Sequence, residues 1–346
     1  MYRIANQIYN TSDFSVFGEY LSYSNKDNNL YLNLEKVNTN SSSCGHFFSN
    51  DYFYFSDSFE DYTNSVFVYK QYIMELNTGE IIDLKNINPQ FLTKKEGEFI
   101  GFEKKYNKSS LVIYNVNTSE KTIVSEDFEF GIKLFNNNNL VINDGWILVK
   151  SLSLLTGEYE WEVDLSEYGQ IRSVLTAVED NLWVLANDYK NNRHSLLRLD
   201  ANSGRLMQVL GEDLKLSDAH VKYIEEKQTL LSFKSSISSV PSPSTLIEID
   251  AKTGKILRNV TVESMLEPNL KVGLWQYQDN QLFFTANTTM MTTTHIGVLD
   301  YNTLALLWYI EVPGRKGLLK DIQVSTGKIY VLDQVGTLHI FEKEND

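Results

Sequence analysis

The chain has 346 residues, 42% hydrophobic and 22% charged, a balance too apolar for a disordered chain and ordinary for one that buries a core. With 31 Lys and Arg against 45 Asp and Glu, the formal charge is −14, which argues against the basic stripe that a phosphate backbone requires. A single cysteine, Cys44, excludes an internal disulfide and a cysteine-based zinc site, and no stretch reaches the roughly 18–20 apolar residues of a membrane span.

In chain order, Tyr2 to Asn10 (YRIANQIYN) is a strand-like run without a partner of its own, and nothing in it has the character of a signal peptide. Cytoplasmic residence is therefore expected. Eight pairs of short apolar runs follow, rich in the aromatic and β-branched residues that favour strands. They are EYLSY with LYLNL, YFYFS with YIMEL, EFIGF with LVIYN, NLVIN with WILVK, NLWVL with LLRLD, LLSFK with LIEID, QLFFT with IGVLD, and KIYVL with LHIFE.

A repeated phrase closes most pairs, clearest in LIEIDAKTGKIL from Leu246 to Leu257. The alternation Ile247-Glu248-Ile249 has the two-residue period of a strand. Asp250 is placed to accept backbone N–H groups as an Asx turn, and Gly254 supplies the left-handed backbone that closes it. Versions occur at Glu75–Gly79, Asn115–Ser119, Ser153–Gly157, Asp200–Gly204, Asp250–Gly254 and Asp300–Leu304, with a faint one at Lys36–Asn40. Their spacing of 38 to 50 residues, with strands only, is the period of four-stranded propeller blades. Ser119 and Leu304 stand in the glycine slot, where a side chain costs roughly 1–2 kcal/mol unless the turn is reshaped.

Eight pairs but only seven turn phrases leave the last blade one strand short, because the chain stops at FEKEND. The unpartnered N-terminal run is expected to supply that strand and so remove an open sheet edge. The expected fold is all-β, an eight-bladed β-propeller of four-stranded antiparallel blades in one domain, residues 1–346. Seven blades is the alternative if residues 13–40 are something else.

GKIYVLDQVGTLHIFE and LLRLDANSGRLM resemble the repeat of the quinoprotein alcohol dehydrogenase-like β-propellers, with its pyrroloquinoline-quinone-type hairpin, LD, TG turn and outer strand often carrying Trp. The likeness extends over most of the chain at repeat level. Trp161 and Trp308 stand four residues beyond their turns, where a neighbouring blade is expected to dock. Quinone enzymes of that group use, as the resemblance implies, a vicinal cysteine pair and a calcium site. With one cysteine here, no cofactor residue carries over, and neither cofactor nor metal is expected.

The five histidines, His46, His194, His220, His295 and His339, show no paired ligand spacing. Gly314 to Gly317 (GRKG) lacks the context of a phosphate loop and reads as a connection between blades. Asn143 to Gly145 (NDG) reads as a tight hairpin rather than an ion-binding fragment. Cys44 with His46, two positions apart, is the only nucleophile candidate and has no visible oxyanion site.

Sequence variation in length falls between second and third strands, in SDSFEDYTNS, NDYKNNRH, KSSISSVPSPST and NTTMMTTTH. These four are read as loops on one side of the scaffold, where binding residues tend to sit. Asp57, Phe59, Glu60, Asp61, Tyr62, Tyr189, Met290 and Met291 are the candidate partner-binding residues, since Tyr and Met suit protein contacts. The expected function is noncatalytic protein binding, with a basic partner favoured and neither nucleic acid nor membrane bound. A specific version is a bacterial immunity or inhibitor protein that occludes a toxin or enzyme, in keeping with the Asn/Tyr-rich composition (NNNN at Asn136 to Asn139). The competing class is a propeller enzyme or carbohydrate-type ligand binder working through a central channel.

Overall fold

The computed structural model describes residues 1–344 apart from 42, 50, 62–65, 106–107, 127, 129–130, 137, 192, 212–213, 215, 217–220, 235–243 and 288–292. Its strands form eight antiparallel sheets of four, the blades expected from the repeat. Two compact units are present, Met1–Asp127 with Val272–Asp346, and Phe128–Lys271.

The second unit holds blades 4 to 6. Blade 4 comprises Gly131–Asn136, Asn139–Asp144, Leu148–Ser153 and Tyr159–Asp164. Blade 5 is built of Gln170–Val178, Asn181–Asp188, Arg193–Asp200 and Leu206–Leu210, and blade 6 of Lys222–Ile224, Thr229–Phe233, Thr245–Asp250 and Ile256–Thr261. The first unit holds blades 1 to 3, 7 and 8. Blade 8 takes Leu319–Ser325, Lys328–Asp333 and Leu338–Lys343 from the C-terminus and Tyr2–Ile8 from the N-terminus. Tyr2 pairs with Lys343 and Ile8 with Leu338, so the first strand of the chain completes the last blade.

Period-two patterning explains how blade 5 serves two cores. Along NLWVLAND, Leu182, Val184 and Ala186 pack with Val141, Val149 and Trp161 of blade 4. The alternate residues Trp183 and Leu185 pack with Leu230, Ile247 and Ile249 of blade 6. A strand with a neighbour on each face must be apolar at every position, hence the unbroken LWVLA run. Fourth strands have one covered face only. Leu306–Glu311 alternates half-buried and exposed residues accordingly.

The repeated turn forms as its residues dictate. Asp250 accepts N–H donors from Lys252 (3.0 Å) and Thr253 (2.7 Å), and the Gly254 N–H returns to the Asp250 carbonyl at 2.8 Å. Asp200 and Asp300 repeat the arrangement. Ser119 and Leu304 keep the left-handed backbone, at φ 59° and 58°, so the steric penalty is borne rather than avoided. The faint phrase Lys36–Asn40 is a correction: it lies within a strand, Glu35–Asn40, and the hairpin turn of blade 1 is Asn33-Leu34, both left-handed. A two-residue connection suits the twist of the flanking strands and displaces the longer motif.

Trp161 docks on the next blade as anticipated. Its indole N–H donates to the Ala201 carbonyl at 2.9 Å, and a Cβ on Gly204 would stand 2.6 Å from its ring. Trp308 lies 5.3 Å from the Tyr2 ring of the closing strand. Gly204 therefore has two reasons to be glycine, its φ of +68° and the indole, whereas Gly79, at φ +73°, has nothing within 4 Å. Gly79→Ala is expected to cost about 1 kcal/mol and Gly204→Ala about 3 kcal/mol, measured as urea unfolding midpoints; equal losses would remove the packing reason.

Candidate functional site

On blades 4 and 5 the turns between second and third strands present two large aromatic side chains to solvent. Gly145 and Trp146 turn the chain after Asp144 with φ of 59° and 69°. Trp146 is 60% exposed, an unusual state for an indole whose backbone also pays for a left-handed conformation. Beneath it Lys150 bridges Asp144 and Glu162, each at 2.9 Å, which fixes the hairpin base and raises the Lys150 ammonium above its ordinary range.

Tyr189 occupies the equivalent turn of blade 5 and is 57% exposed. Asp188 holds that turn by accepting the Lys190 N–H at 3.1 Å and the Asn191 N–H at 3.3 Å. The Asn191 side-chain amide, the backbone N–H donors and nearby Arg193 hold the Asp188 carboxyl below the usual carboxylate range. The Arg172 guanidinium lies over the Tyr189 ring, 5.7 Å from its centroid. Next to Arg172, the Ile171 N–H donates to the Trp146 carbonyl at 2.6 Å, so indole, guanidinium and phenol belong to one stretch of surface. Trp146 and Arg172 were missed in the sequence, where NDG reads as a hairpin and nothing signals that the residue after it is exposed.

Blade 2 comprises His46–Phe47, Tyr52–Asp61, Val66–Glu75 and Ile81–Lys85. Its two middle strands pair over all ten positions, from Tyr52↔Glu75 to Asp61↔Val66. The first strand pairs only as far as Tyr54, and the fourth reaches only Gln71. Residues 57–61 and 66–70 are thus a two-stranded ribbon running beyond the four-stranded sheet by about 17 Å. This corrects the reading of SDSFED as loop, because the ladder simply continues. NDYKNNRH is corrected in the same way, since Asn187, Asp188, Arg193 and His194 are paired strand residues.

Among the candidate residues, Asp57 pairs with Lys70, Phe59 with Val68, Glu60 with Phe67 and Asp61 with Val66. Tyr62, Met290 and Met291 lie outside the described residues, as does most of KSSISSVPSPST.

Other reactive groups are engaged in structure. Cys44 is buried, its thiol donates to the Gly45 carbonyl, and burial together with nearby Asp13 pushes the thiol far above its ordinary range. A thiol of that kind is a poor nucleophile. GRKG joins blades 7 and 8: Arg315 pairs with Glu311 at 2.7 Å and the Lys316 N–H donates to Asp333 at 2.8 Å. Among the described residues no three His, Cys, Asp or Glu side chains converge as metal ligands, and no helix is long and apolar enough to cross a membrane.

Eight four-stranded antiparallel sheets, closed in the last by the N-terminal strand, define the class as an eight-bladed β-propeller. Solved structures bear out that fold over nearly the whole chain. BamB from Moraxella catarrhalis superposes with a TM-score of 0.55 at 11% identity, covering 99% of this chain and 100% of its own. Sqt1 from Saccharomyces cerevisiae gives 0.59 at 10% identity over 97% and 100%, and the C-terminal WD40 domain of Sif2 gives 0.59 at 11% over 100% and 99%. No protein-family model and no curated protein matches the sequence. The likeness to BamB is in fold, and at 11% identity it does not extend to membership of the quinone-type family.

Proposed function

We propose that the chain is a noncatalytic protein-binding propeller acting in the cytoplasm. Its contact surface is built on the turns between the second and third strands of blades 4 and 5. One observation carries this reading: Trp146, Arg172 and Tyr189 form a connected exposed set on blades 4 and 5. Trp, Arg and Tyr are the residues that most often dominate the energy of protein contacts. The ribbon of blade 2, with Asp57, Phe59, Glu60 and Asp61 on one strand, adds acidic and aromatic residues on the same kind of turn. A net charge of −14 favours a basic partner by attraction during encounter. The specific version is an immunity or inhibitor protein that occludes a basic toxin or enzyme.

The test is affinity capture from native lysate, comparing the wild-type chain with Trp146→Ala/Tyr189→Ala and with Glu60→Lys/Asp61→Lys. A partner retained by the wild type is expected to be lost at least tenfold by the aromatic double variant, and more weakly by the charge reversal. Equal retention by all three chains defeats the reading.

A further inference from the structure

The ribbon of blade 2 carries an edge that the rest of the blade leaves open. Strand 66–70 pairs on one side with 57–61, and on the other it has no strand partner among the described residues, because the fourth strand reaches only the pair Gln71↔Lys85. Residues 57–61 likewise lie beyond the first strand, which pairs only with Phe53 and Tyr54. A two-stranded ribbon by itself is marginally stable in water, and an open edge of β-favouring residues is a template for another strand.

The register decides which edge can take which strand. Strand 66–70 reads Val-Phe-Val-Tyr-Lys, four β-favouring residues with no proline and no acid. Strand 57–61 reads Asp-Ser-Phe-Glu-Asp, three carboxylates in five positions. Laid antiparallel against a second copy of itself, 57–61 sets Asp57 opposite Asp61 twice, and like charges directly opposite destabilise a pair. The same operation on 66–70 sets Val66 opposite Lys70, Phe67 opposite Tyr69 and Val68 on the two-fold axis, so no like charges face each other. Length agrees as well. The open edge runs over five positions, 66 to 70, and a copy's strand 66–70 fills those five up to the end of Ile81–Lys85.

We propose that the chain self-associates through this edge, two copies joining their strands 66–70 antiparallel about Val68 so that two ribbons become one four-stranded sheet. Such an interface is isologous: each copy both offers and receives a strand. With a charge of −14 per copy the two bodies repel at long range, whereas the joined strands carry only Lys70. Salt is therefore expected to strengthen the dimer, since it screens that repulsion and leaves the backbone hydrogen bonds in place. The joined edge lies on the far side of the ribbon from the acidic strand 57–61, so self-association and partner capture fail separately.

Sedimentation velocity of the full chain across the micromolar range is expected to show a reversible monomer–dimer equilibrium, tightening about threefold from low salt to physiological ionic strength. Phe67→Lys/Tyr69→Lys sets Lys opposite Lys at two pairs and is expected to be monomeric with the circular dichroism of the wild type. Glu60→Lys/Asp61→Lys, on the other strand, is expected to dimerise at least as tightly as the wild type. Val68→Cys supplies a reactive thiol, since the native Cys44 is buried. Across the axis its Cβ atoms would lie roughly 4.5–5.5 Å apart, within reach of a short bismaleimide. Ser58→Cys stands three strand spacings, roughly 14 Å, from its copy and is expected to remain uncoupled. This cross-linking readout does not depend on the lysine variant folding. The proposal is overturned by a monomer at every concentration, by a dimer undiminished in Phe67→Lys/Tyr69→Lys, by loss of the dimer in Glu60→Lys/Asp61→Lys, or by Ser58→Cys cross-linking as readily as Val68→Cys.

Discussion

A chain lacking residues 2–8 is expected to unfold about 6 °C below the intact protein, the equivalent of roughly 4 kcal/mol for a domain of this size. The segment makes an antiparallel ladder with Leu338–Lys343, interrupted by one bulge between Ile4 and Asn6, and the Glu344 N–H adds a bond to the Met1 carbonyl at 2.8 Å. Tyr2 inserts its ring between Phe283 and Trp308, with centroids 6.2 and 5.3 Å away, in the core that joins blades 7 and 8. Gln7 bonds the His339 ring at 2.9 Å and the Pro313 carbonyl at 3.2 Å. Loss of the strand strips all of these and leaves Leu338–Lys343 as an open edge, prone to pairing with other chains. Scanning calorimetry with light scattering reads both effects. Arg3→Gln, at an exposed position of the same strand, serves as the control and is expected to be silent. An intact melting curve after deletion would falsify the closure as a source of stability.

Asp333→Ala is expected to cost about 3–5 kcal/mol. Asp333 is fully buried and accepts N–H groups of Lys316 (2.8 Å), Val335 (3.1 Å), Gly336 (2.9 Å) and Thr337 (2.8 Å). Its other neighbour is the buried His339 ring at 3.3 Å, which in turn meets Gln7 of the closing strand. Truncation removes the side-chain acceptor of four backbone donors at once and frees the closure latch; Gly336 alone among them keeps a second acceptor, the Asp333 carbonyl at 3.1 Å.

The same pair sets a pH dependence. Burial opposes ionisation of Asp333, but the donors from Thr337 and Lys316, aided by His339, outweigh it and hold the carboxyl below its usual range. Burial pushes the His339 imidazole down, against the pull of Asp333. For both groups the unfolded chain binds protons more readily than the folded one, so stability declines as pH falls. The histidine contribution is complete above the unfolded value of about 6.5 and is lost below it, toward the lower folded value; the carboxylate contribution is lost below about 3.9. Unfolding midpoints measured from pH 7.5 downward are expected to fall in these two stages, and His339→Gln is expected to flatten the first. A variant with the wild-type slope would show that other groups carry it.

Local chemistry was the legible part of this protein. The Asx turn spans five residues, and its acceptor, hydroxyl and glycine all sit inside the phrase, so Asp200–Gly204 and Asp250–Gly254 are readable without any tertiary contact. Where the chain departs from that chemistry the pattern misleads: the Asn33-Leu34 hairpin carries no Asp or Gly, and Lys36–Asn40 resembles the turn although the chain has already reversed a few residues earlier. Strand length failed for a related reason. SDSFED is polar enough to resemble a loop, but a two-stranded ladder needs only backbone partners to continue to Asp61.

By itself the sequence determined the period, the eight pairs of strands, most of the turns between third and fourth strands, and the surplus N-terminal run that completes the last blade. Those follow from two-residue alternation and from bonds between neighbours in the chain. Tertiary structure alone decided which side chains share a surface or a core. Arg172 over Tyr189 beside Trp146, and Gln7 against His339, each join residues from different strands or blades. Such meetings depend on register, bulges and the stacking of one blade on the next, which no local pattern encodes because the energy that selects them is the burial of whole sheets against each other.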